Sequence, residues 1–424
     1  MRLKNFPRKK SVLLRQLRIV VLAFRGFSED KCQLRASALT FFSVLSVVPV
    51  IAMMFGIAKG FGLEKRIEVE LLGRMKGQED VAEWIIGFSN SLLKNASGGV
   101  VAGIGVAFLF WTIIKVLSNI EDSFNDIWGV KTPRSFGRKF SDYLSMILVC
   151  PFFLIIAGSA TVAISTQVQS IIEQFSVFRS IGPLIMFLLK LLPFVTIWIM
   201  FTFVFIFMPN TKVTMVSGIL GGIAAGTIFQ LAQWVYINFQ IGAARYSAIY
   251  GSFAAIPLFL LWIQISWLVV LFGAELSFAH QNVDTYEFEP DCLSASNSYK
   301  KLLSLLITHR LVKNFCEEKP AWDAAKISHS FEIPIRLVRQ ILYELVGAGI
   351  LTEVKKGDGK DAAYQPAVDV NKVTVKYVVE ALDRRGISDI PIEDVGELDK
   401  FSRCLGSFAD EIEKSPANVL LKDI

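Results

Sequence analysis

The chain has 424 residues, of which 53% are apolar and only 19% are charged. Soluble domains carry about 25% charged residues, so this composition excludes a disordered chain and argues against a wholly soluble protein. The 34 phenylalanines and three histidines point to a protein of the bilayer rather than a metal enzyme built on histidine.

The charge is divided unevenly along the chain. Residues 1–280 hold 25 Lys and Arg against 14 Asp and Glu, whereas residues 281–424 hold 19 against 24. The sequence therefore predicts an apolar part with basic flanks, followed by a mildly acidic, water-soluble part. The five cysteines are scattered without a C-x-x-C pair, which indicates free thiols rather than a disulfide framework or a zinc site.

The first 35 residues are strongly basic and contain ten Lys and Arg. Within this segment, apolar residues form a stripe along one face of a predicted helix, and arginines lie beside the stripe. This pattern is typical of a helix in the membrane interface that is attracted to anionic lipids. A helix that packs in the cytoplasm would show the same pattern. We therefore assign 1–35 as a cytoplasmic basic segment and favour an interfacial amphipathic helix in it. The stripe consists of Leu14, Leu17, Val21 and Phe24.

Six stretches are apolar enough to cross a bilayer, which needs about 20 residues of helix. Each must be helical, because lipid offers no hydrogen-bond partner to a free backbone N–H or C=O. The sequence predicts an all-α polytopic membrane protein, with a six-transmembrane-helix bundle over residues 36–280. The predicted spans are 36–62, 98–119, 143–168, 181–208, 213–239 and 248–279.

Loop charge predicts the orientation of these spans. The segment before the first span and the loop after the second are basic, whereas the loops after the third and fifth spans carry one basic residue each. Because basic loops stay in the cytoplasm, both termini are expected there. The loop at 63–97 does not fit this division into basic cytoplasmic loops and loops poor in basic residues on the other side. It contains five basic residues, which are matched by six acidic ones.

Small residues in the fifth span indicate close helix packing. Gly218, Gly222 and Gly226 recur at every fourth position and so share one face of the helix. This spacing lets two helix backbones approach each other, and we expect the contact within one subunit rather than between two.

Few polar groups lie at bilayer depth, where a charge is costly and suggests a function. The carboxylate of Glu275 needs a partner, and it belongs either to a structural ion pair or hydrogen bond or to a polar path. The polar end of the second span could bond to the first and last spans or coordinate a cation. The candidates for a polar path or for helix bridging are Asn119, Glu121, Asn125, Lys190, Gln230, Gln233, Gln264 and Glu275.

Four segments form a recognisable series of motifs along the chain: 35–49, 125–128, 208–213 and 250–276. In this order they resemble the motifs of the BrkB/YihY family of six-helix bacterial inner-membrane proteins. This chain departs from the family pattern in carrying Pro257 inside the last span and a long cytoplasmic extension.

The resemblance implies a multi-pass protein of the bacterial inner membrane whose activity is poorly defined. Family members were long labelled ribonuclease BN. Hydrolysis of RNA needs a metal or an acid–base pair, whereas the three histidines here lie at or beyond the membrane edge without ligand spacing. We therefore expect no enzyme, no catalytic residue, no metal and no cofactor. The family's link to envelope integrity suggests that it moves or senses lipids.

The soluble part is predicted to contain a small folded domain. After a linker at 281–297, residues 298–387 show three helices and then a two-stranded hairpin with a turn at Asp358 and Gly359. This order is typical of a winged helix-turn-helix. A further helix is predicted at 372–386, and residues 388–424 are expected to form a loosely ordered tail.

Winged helices often bind DNA through the third helix and the wing. Here the third helix offers Arg336 and Arg339, but the soluble part is acidic overall, and binding to phosphates needs clustered positive charge. We expect a protein partner or self-association through 298–387 rather than nucleic acid, with small-molecule sensing as a further alternative.

These observations support three functional hypotheses. In the first, the bundle transports or flips a lipid or another envelope component along the polar path. In the second, the bundle anchors a scaffold that acts through residues 298–387. A ribonuclease is the third and has the least support. Membrane lipids are the expected partner of the bundle in each case.

Overall fold

The computed structural model describes residues 8–60, 99–135, 137–146, 182–244, 255–283, 295–355, 361–387 and 396–424, with a few single residues between 69 and 149. It divides into two compact units. The first comprises Met1–Ile127 and Thr132–Gln281, and the second comprises Trp128–Lys131 and Asn282–Ile424.

The described residues of the first unit form helices that are joined by short loops and turns. A further short helical segment covers 137–146. The long helices are α1 (Arg8–Glu29), α2 (Cys32–Gly60), α3 (Gly99–Ile127), α4 (Gly182–Phe207), α5 (Met215–Ala244) and α6 (Ala255–Asn282).

Five of the six predicted spans coincide with helices α2 to α6. The third predicted span, 143–168, lies outside the described residues apart from its first turn and residue 149, and nearly all of the loop 63–97 lies outside them too. Among the described residues, two stretches are long and apolar enough to cross a membrane, Met215–Phe239 and Ile256–Asn282. Two shorter apolar stretches, Cys32–Val47 and Leu191–Phe207, belong to α2 and α4.

The apolar helices leave large side chains exposed, as helices in lipid do. Along α5, Leu231, Trp234 and Phe239 are all more than 60% exposed. On α1, Ile19, Leu22 and Ala23 are buried, whereas the predicted stripe faces away from them. Each stripe residue is at least 39% exposed: Leu14, Leu17, Val21 and Phe24.

Helices α4 and α5 pack closely along the glycine face of α5. A β-carbon on Gly222 would lie 2.2 Å from Oγ1 of Thr202, and one on Gly226 would lie 2.5 Å from the ring of Trp198. Gly218 is equally crowded by Ile206. The glycine stripe therefore packs within the chain, as the sequence favoured.

Replacing Gly222 with alanine should loosen the contact between α4 and α5. The added methyl meets backbone as well as side-chain atoms of α4, so we expect a loss of about 1–3 kcal/mol of stability. Thermal unfolding in detergent measures this loss as a lower midpoint. Gly137→Ala is the matched control, because a β-carbon there meets nothing within 4 Å. Equal midpoints for the two variants would contradict the packing argument.

Within its described residues, the second unit combines five α-helices with a small sheet. The elements are α7 (Asn297–Cys316), β1 (Trp322–Asp323), α8 (Ala324–Phe331), α9 (Ile335–Gly347), β2 (Leu351–Lys355), β3 (Ala362–Pro366), α10 (Val375–Asp383) and α11 (Gly396–Lys414). Strand β3 pairs antiparallel with both neighbours, in the order β1-β3-β2, and Tyr364 lies opposite both Trp322 and Glu353.

Side-chain caps fix the starts of three of these helices. Ser296 accepts a hydrogen bond from Tyr299 N at α7, Asp323 from Lys326 N at α8, and Thr374 from Tyr377 N at α10. The helices enclose a core of fully buried apolar side chains. Its members include Ile307, Val312, Leu337, Val338, Ile341, Leu342, Leu345 and Ile350.

The three helices, the pair of strands and the further helix that the sequence predicts are all observed, and one strand was missed. Strand β1 is two residues long, too short to show a period in the sequence. The turn at Asp358 and Gly359 lies outside the described residues.

The chain end differs from the loosely ordered tail that the sequence suggested. Residues 396–414 form helix α11, and the last residues return to the core of the unit. Val375 N donates to Val419 O at 3.2 Å, and Leu421 is 1% exposed. The linker predicted at 281–297 lies mostly outside the described residues.

Residues 128–131 belong to the second unit and contact helix α9. Arg339 Nη1 donates to the backbone oxygen of Trp128. Gly129 has φ +66°, and a β-carbon on it would lie 2.6 Å from Cγ of Arg336. The positive φ and this close approach both require glycine. The two arginines that the sequence offered for DNA are thus engaged with the chain itself.

A candidate polar site at the end of helix α3

The last two turns of α3 turn a polar face inward. Glu121 and Asn125 are one helical turn apart and both are buried, while Ile120, Phe124 and Ile127 fill the apolar surroundings. A buried carboxylate needs a compensating charge and hydrogen bonds. The loop and the helical segment that follow α3 supply both.

Arg134 provides the charge. Its side chain is fully buried, and its Nη1 lies 3.6 Å from Oε2 of Glu121, whose side chain is also fully buried. Its Nε lies 3.5 Å from Oδ2 of Asp142, which is 22% exposed. One guanidinium therefore bridges two carboxylates.

The same guanidinium also closes the end of helix α4. Nη2 of Arg134 lies within hydrogen-bond distance of the carbonyl oxygens of Phe207, Met208 and Pro209, at 2.7, 3.0 and 3.1 Å. The last carbonyls of a helix have no partner within the helix, and they carry the negative end of its dipole. A buried cation at this point satisfies both requirements.

Two further side chains donate hydrogen bonds to Glu121. The hydroxyl of Tyr143 donates to Oε2 at 2.5 Å, and Nδ2 of Asn125 donates to Oε1 at 3.3 Å. The amide of Asn125 is itself held, because its Oδ1 accepts from Asn210 N at 2.8 Å. We call Glu121, Asn125, Arg134, Tyr143 and Asn210 the polar cluster.

The polar cluster joins four pieces of chain that are distant in sequence: α3, the loop after it, the helical segment 137–146 and the turn after α4. Asn210 extends it by donating from Nδ2 to Thr132 O at 3.0 Å. Next to it, Arg35 of α2 pairs with Asp126 at 2.5 Å. Nε and Nη1 of Arg134 face the two carboxylates at ion-pair distance without a hydrogen bond, while Nη2 and the other members are hydrogen-bonded. The charges are compensated, so this arrangement fixes helices in place.

Two other predicted residues bridge α2 and α6. Gln264 accepts from the hydroxyl of Thr40 at 2.9 Å and donates to Ser37 at 3.2 Å. Glu275 is fully buried and accepts from the Cys32 thiol at 3.6 Å. The polar residues of α6 thus contact α2 by hydrogen bonds, which is the bridging role among the predicted alternatives.

Four predicted residues are not part of these contacts. The Nδ2 atom of Asn119 is buried without a hydrogen-bond partner in the described part of the chain. Gln230 and Gln233 are half-buried on α5 and make no hydrogen bond to the residues that the structure describes. Lys190 lies on α4, and its side chain is outside the described atoms. The structure therefore does not bring the eight candidates together.

Sequence reasoning missed Arg134, Tyr143 and Asn210 as members of a site. Arg134 was counted as a basic loop residue that marks the cytoplasmic side, and Tyr143 as the start of a span. Asn210 was included only in a turn motif. The available signal was an acidic residue, Glu121, at the end of an apolar helix, with basic residues in the loop that follows. Within the described residues, no group of three or more His, Cys, Asp or Glu side chains converges to hold a metal ion.

Long apolar helices with exposed apolar faces, tied together at buried polar groups, define a helical membrane protein. Comparison with known proteins agrees. Residues 23–298 match the family model described as virulence factor BrkB. The chain belongs to this BrkB family of bacterial membrane proteins, whose curated relatives are named UPF0761 membrane proteins. This confirms the family resemblance for the first unit, and residues beyond 298 lie outside the match.

Three relatives show the extent of the similarity. The UPF0761 membrane protein of Haemophilus influenzae is 30% identical over 263 residues, which cover 61% of this chain and 93% of that protein. Those of Alcanivorax borkumensis and Acinetobacter baylyi are 32% and 33% identical over 60% and 61% of this chain. The chain spans 58% and 61% of the length of these two relatives. No solved structure matches the chain.

Replacing Arg134 with glutamine should destabilise the first unit strongly. The change leaves Glu121 buried without its cation, and breaking a buried pair in this way costs about 3–5 kcal/mol. The thermal midpoint of the purified protein in detergent measures the effect. Arg138→Gln is the matched control, because Arg138 is 39% exposed and pairs with Asp142 near the surface. A loss for Arg134→Gln no larger than that of the control would contradict the role of the pair.

Proposed function

We propose that the protein spans the inner membrane six times, with both termini in the cytoplasm, and that residues 298–387 form a winged-helix domain. The basic first 35 residues and the apolar helices support the membrane topology. The order of helix, short strand, two helices and hairpin supports the winged helix. The exposed apolar face and six basic residues of α1 support its position in the membrane interface.

Fusions at the two ends test this topology. Green fluorescent protein should fluoresce when attached before Met1 or after Ile424, because it folds to its fluorescent form in the cytoplasm. Alkaline phosphatase should be inactive at both ends and active when fused after Arg179, in the predicted loop after the third span. Ends that report opposite compartments would overturn the six-span arrangement.

For the activity, we propose a membrane-anchored interaction protein that acts through its second unit and catalyses no reaction. The observation that carries this proposal is how the polar groups of the membrane helices are used. Glu121, Asn125, Gln264 and Glu275 all bond to other helices or loops of the first unit. Side chains in such bonds hold helices together and are not free to take up a substrate.

The second unit has the features of an independent interaction module. It has its own apolar core and capped helices, and its net charge is negative. Arg336 and Arg339 already contact residues 128 and 129, so a phosphate backbone would have to compete with the chain itself. These features favour a protein partner over nucleic acid.

Movement of a lipid or envelope component is a second candidate, and specific side chains favour it. Gln230 and Gln233 are half-buried, and one turn or less apart on α5. The hydroxyl of Ser277 and the amide nitrogen of Asn119 are buried without a hydrogen-bond partner in the described chain. Such groups could form hydrogen bonds to a polar lipid headgroup, whereas the members of the polar cluster already bond to each other.

Two variants separate these candidates. Truncation after residue 293 removes most of the second unit, and it should abolish protection of the envelope against detergents in a strain that lacks the native protein. The double variant Gln230→Leu with Gln233→Leu should leave this protection intact if the protein acts through the second unit. Growth in detergent and lipid scrambling by the reconstituted protein are the two measurements.

The matched control is Asn238→Leu, which removes an exposed amide from the same helix α5. Membrane insertion of each variant is checked by extraction and detergent solubility. If the truncated chain protects fully and the double glutamine variant loses both protection and scrambling, the interaction hypothesis is wrong and lipid movement replaces it.

A further inference from the structure

Helix α11 carries an apolar stripe that no described residue of its own unit covers. Its large apolar residues alternate at intervals of three and four, and no residue of the helix is buried. Their exposed fractions range from 49% to 67%. The residues of this α11 stripe are Leu398, Phe401, Leu405, Phe408 and Ile412.

The spacing of the α11 stripe is that of a coiled coil. Intervals of three and four average to 3.5 residues, which keeps one seam facing a partner helix. An ordinary helix that covers a globular core has a broader apolar face and buries it. A narrow seam in which no residue is buried therefore indicates contact with another helix.

The end of α11 is fixed while its body is exposed. Lys376 Nζ pairs with Glu413 at 2.7 Å, and Asn418 Oδ1 accepts from Lys376 N at 2.9 Å. The following residues return to the core of the unit through Leu421. The unit thus presents the stripe at a defined place.

A membrane surface does not fit the charge of this helix. α11 contains five acidic and three basic residues, whereas α1 contains one acidic and six basic residues. The cytoplasmic face of a membrane is negative and attracts basic helices. The chain therefore has one amphipathic helix suited to anionic lipid and another that anionic lipid repels.

We propose that the α11 stripe pairs with the α11 stripe of a second copy of this chain, and that the protein is a dimer through this contact. A two-fold interface needs a self-complementary patch, and a continuous apolar seam pairs with itself. The five side chains expose roughly 500 Å² per copy when a large apolar side chain presents about 150–250 Å² in full. Two copies together would bury up to about 1,000 Å², the minimum expected of a biological interface.

The flanking residues favour a parallel pair. In a parallel arrangement, Glu397 lies beside Ser402 of the second copy and Cys404 lies beside Ala409, so no like charges meet along the seam. An antiparallel arrangement brings Glu397 towards Glu411 of the second copy, where two negative charges repel each other. This self-association goes beyond the proposed interaction function and does not depend on which partner the second unit recruits.

Charged residues in the seam test the dimer in the full-length protein. The double variant Leu405→Asp with Phe408→Asp should halve the protein mass measured by light scattering in detergent, relative to the unaltered chain. Because no residue of α11 is buried, the rest of the unit should remain folded, and its thermal midpoint checks this. Ser407→Asp places the same charge away from the seam and should remain dimeric.

Cross-linking tests the geometry independently of folding. In a variant with Cys404 and the other native cysteines replaced by serine, Leu405→Cys should form a disulfide between two copies upon mild oxidation, and Ser407→Cys should not. A monomeric unaltered chain, or equal masses for the seam variant and the control, would overturn the proposal. A dimer that survives but does not cross-link at 405 would overturn the parallel pairing.

A fluorescence experiment tests the alternative that the α11 stripe lies on the membrane surface. A fluorophore attached at Leu405→Cys in nanodiscs should be insensitive to spin-labelled lipids if a second copy covers the stripe. Quenching by such lipids in a monomeric protein would show that the stripe lies on the bilayer, and the proposal would then be wrong. Loss of the dimer without loss of envelope protection would leave the interaction function standing, so the two proposals fail separately.

Discussion

The buried pair of Arg134 and Glu121 is the interaction on which the arrangement of the first unit depends. The cost of removing both charges from water is offset by the opposite charges and the polar atoms around them: two carboxylates at ion-pair distance and three hydrogen-bonded backbone oxygens surround the guanidinium. The same arginine closes the end of α4, and so one side chain determines where α3, the loop directly after it and the end of α4 meet.

The apolar packing between helices adds to the polar contacts at their ends. Between helices in lipid there is no hydrophobic driving force, because the lipid is as apolar as the side chains. Close contact must supply the attraction, and Gly222 against Thr202 provides it between α4 and α5. Hydrogen bonds from α6 to α2, through Gln264 and Glu275, then set the position of a further helix.

The segments that resemble the BrkB/YihY family meet in space. Arg35 from the first segment pairs with Asp126 from the second, and Asn125 binds the backbone of Asn210 in the third. Glu275 in the last segment contacts Cys32, just before the first. Each motif therefore supplies residues that contact another motif or the residues next to one. The similarity to the family covers this first unit rather than the second.

The sequence by itself determined the helices, because the length and hydropathy of a segment decide whether it can cross a bilayer. It also determined most elements of the second unit, whose periods and caps are local. The tertiary structure decided which polar groups meet: Arg134 looked like a topology signal, and Glu275 had no assigned partner. Such pairings join residues far apart in the chain, and no local pattern encodes them. The same holds for α11, since a sequence shows an apolar stripe but only the packed unit shows that it remains uncovered.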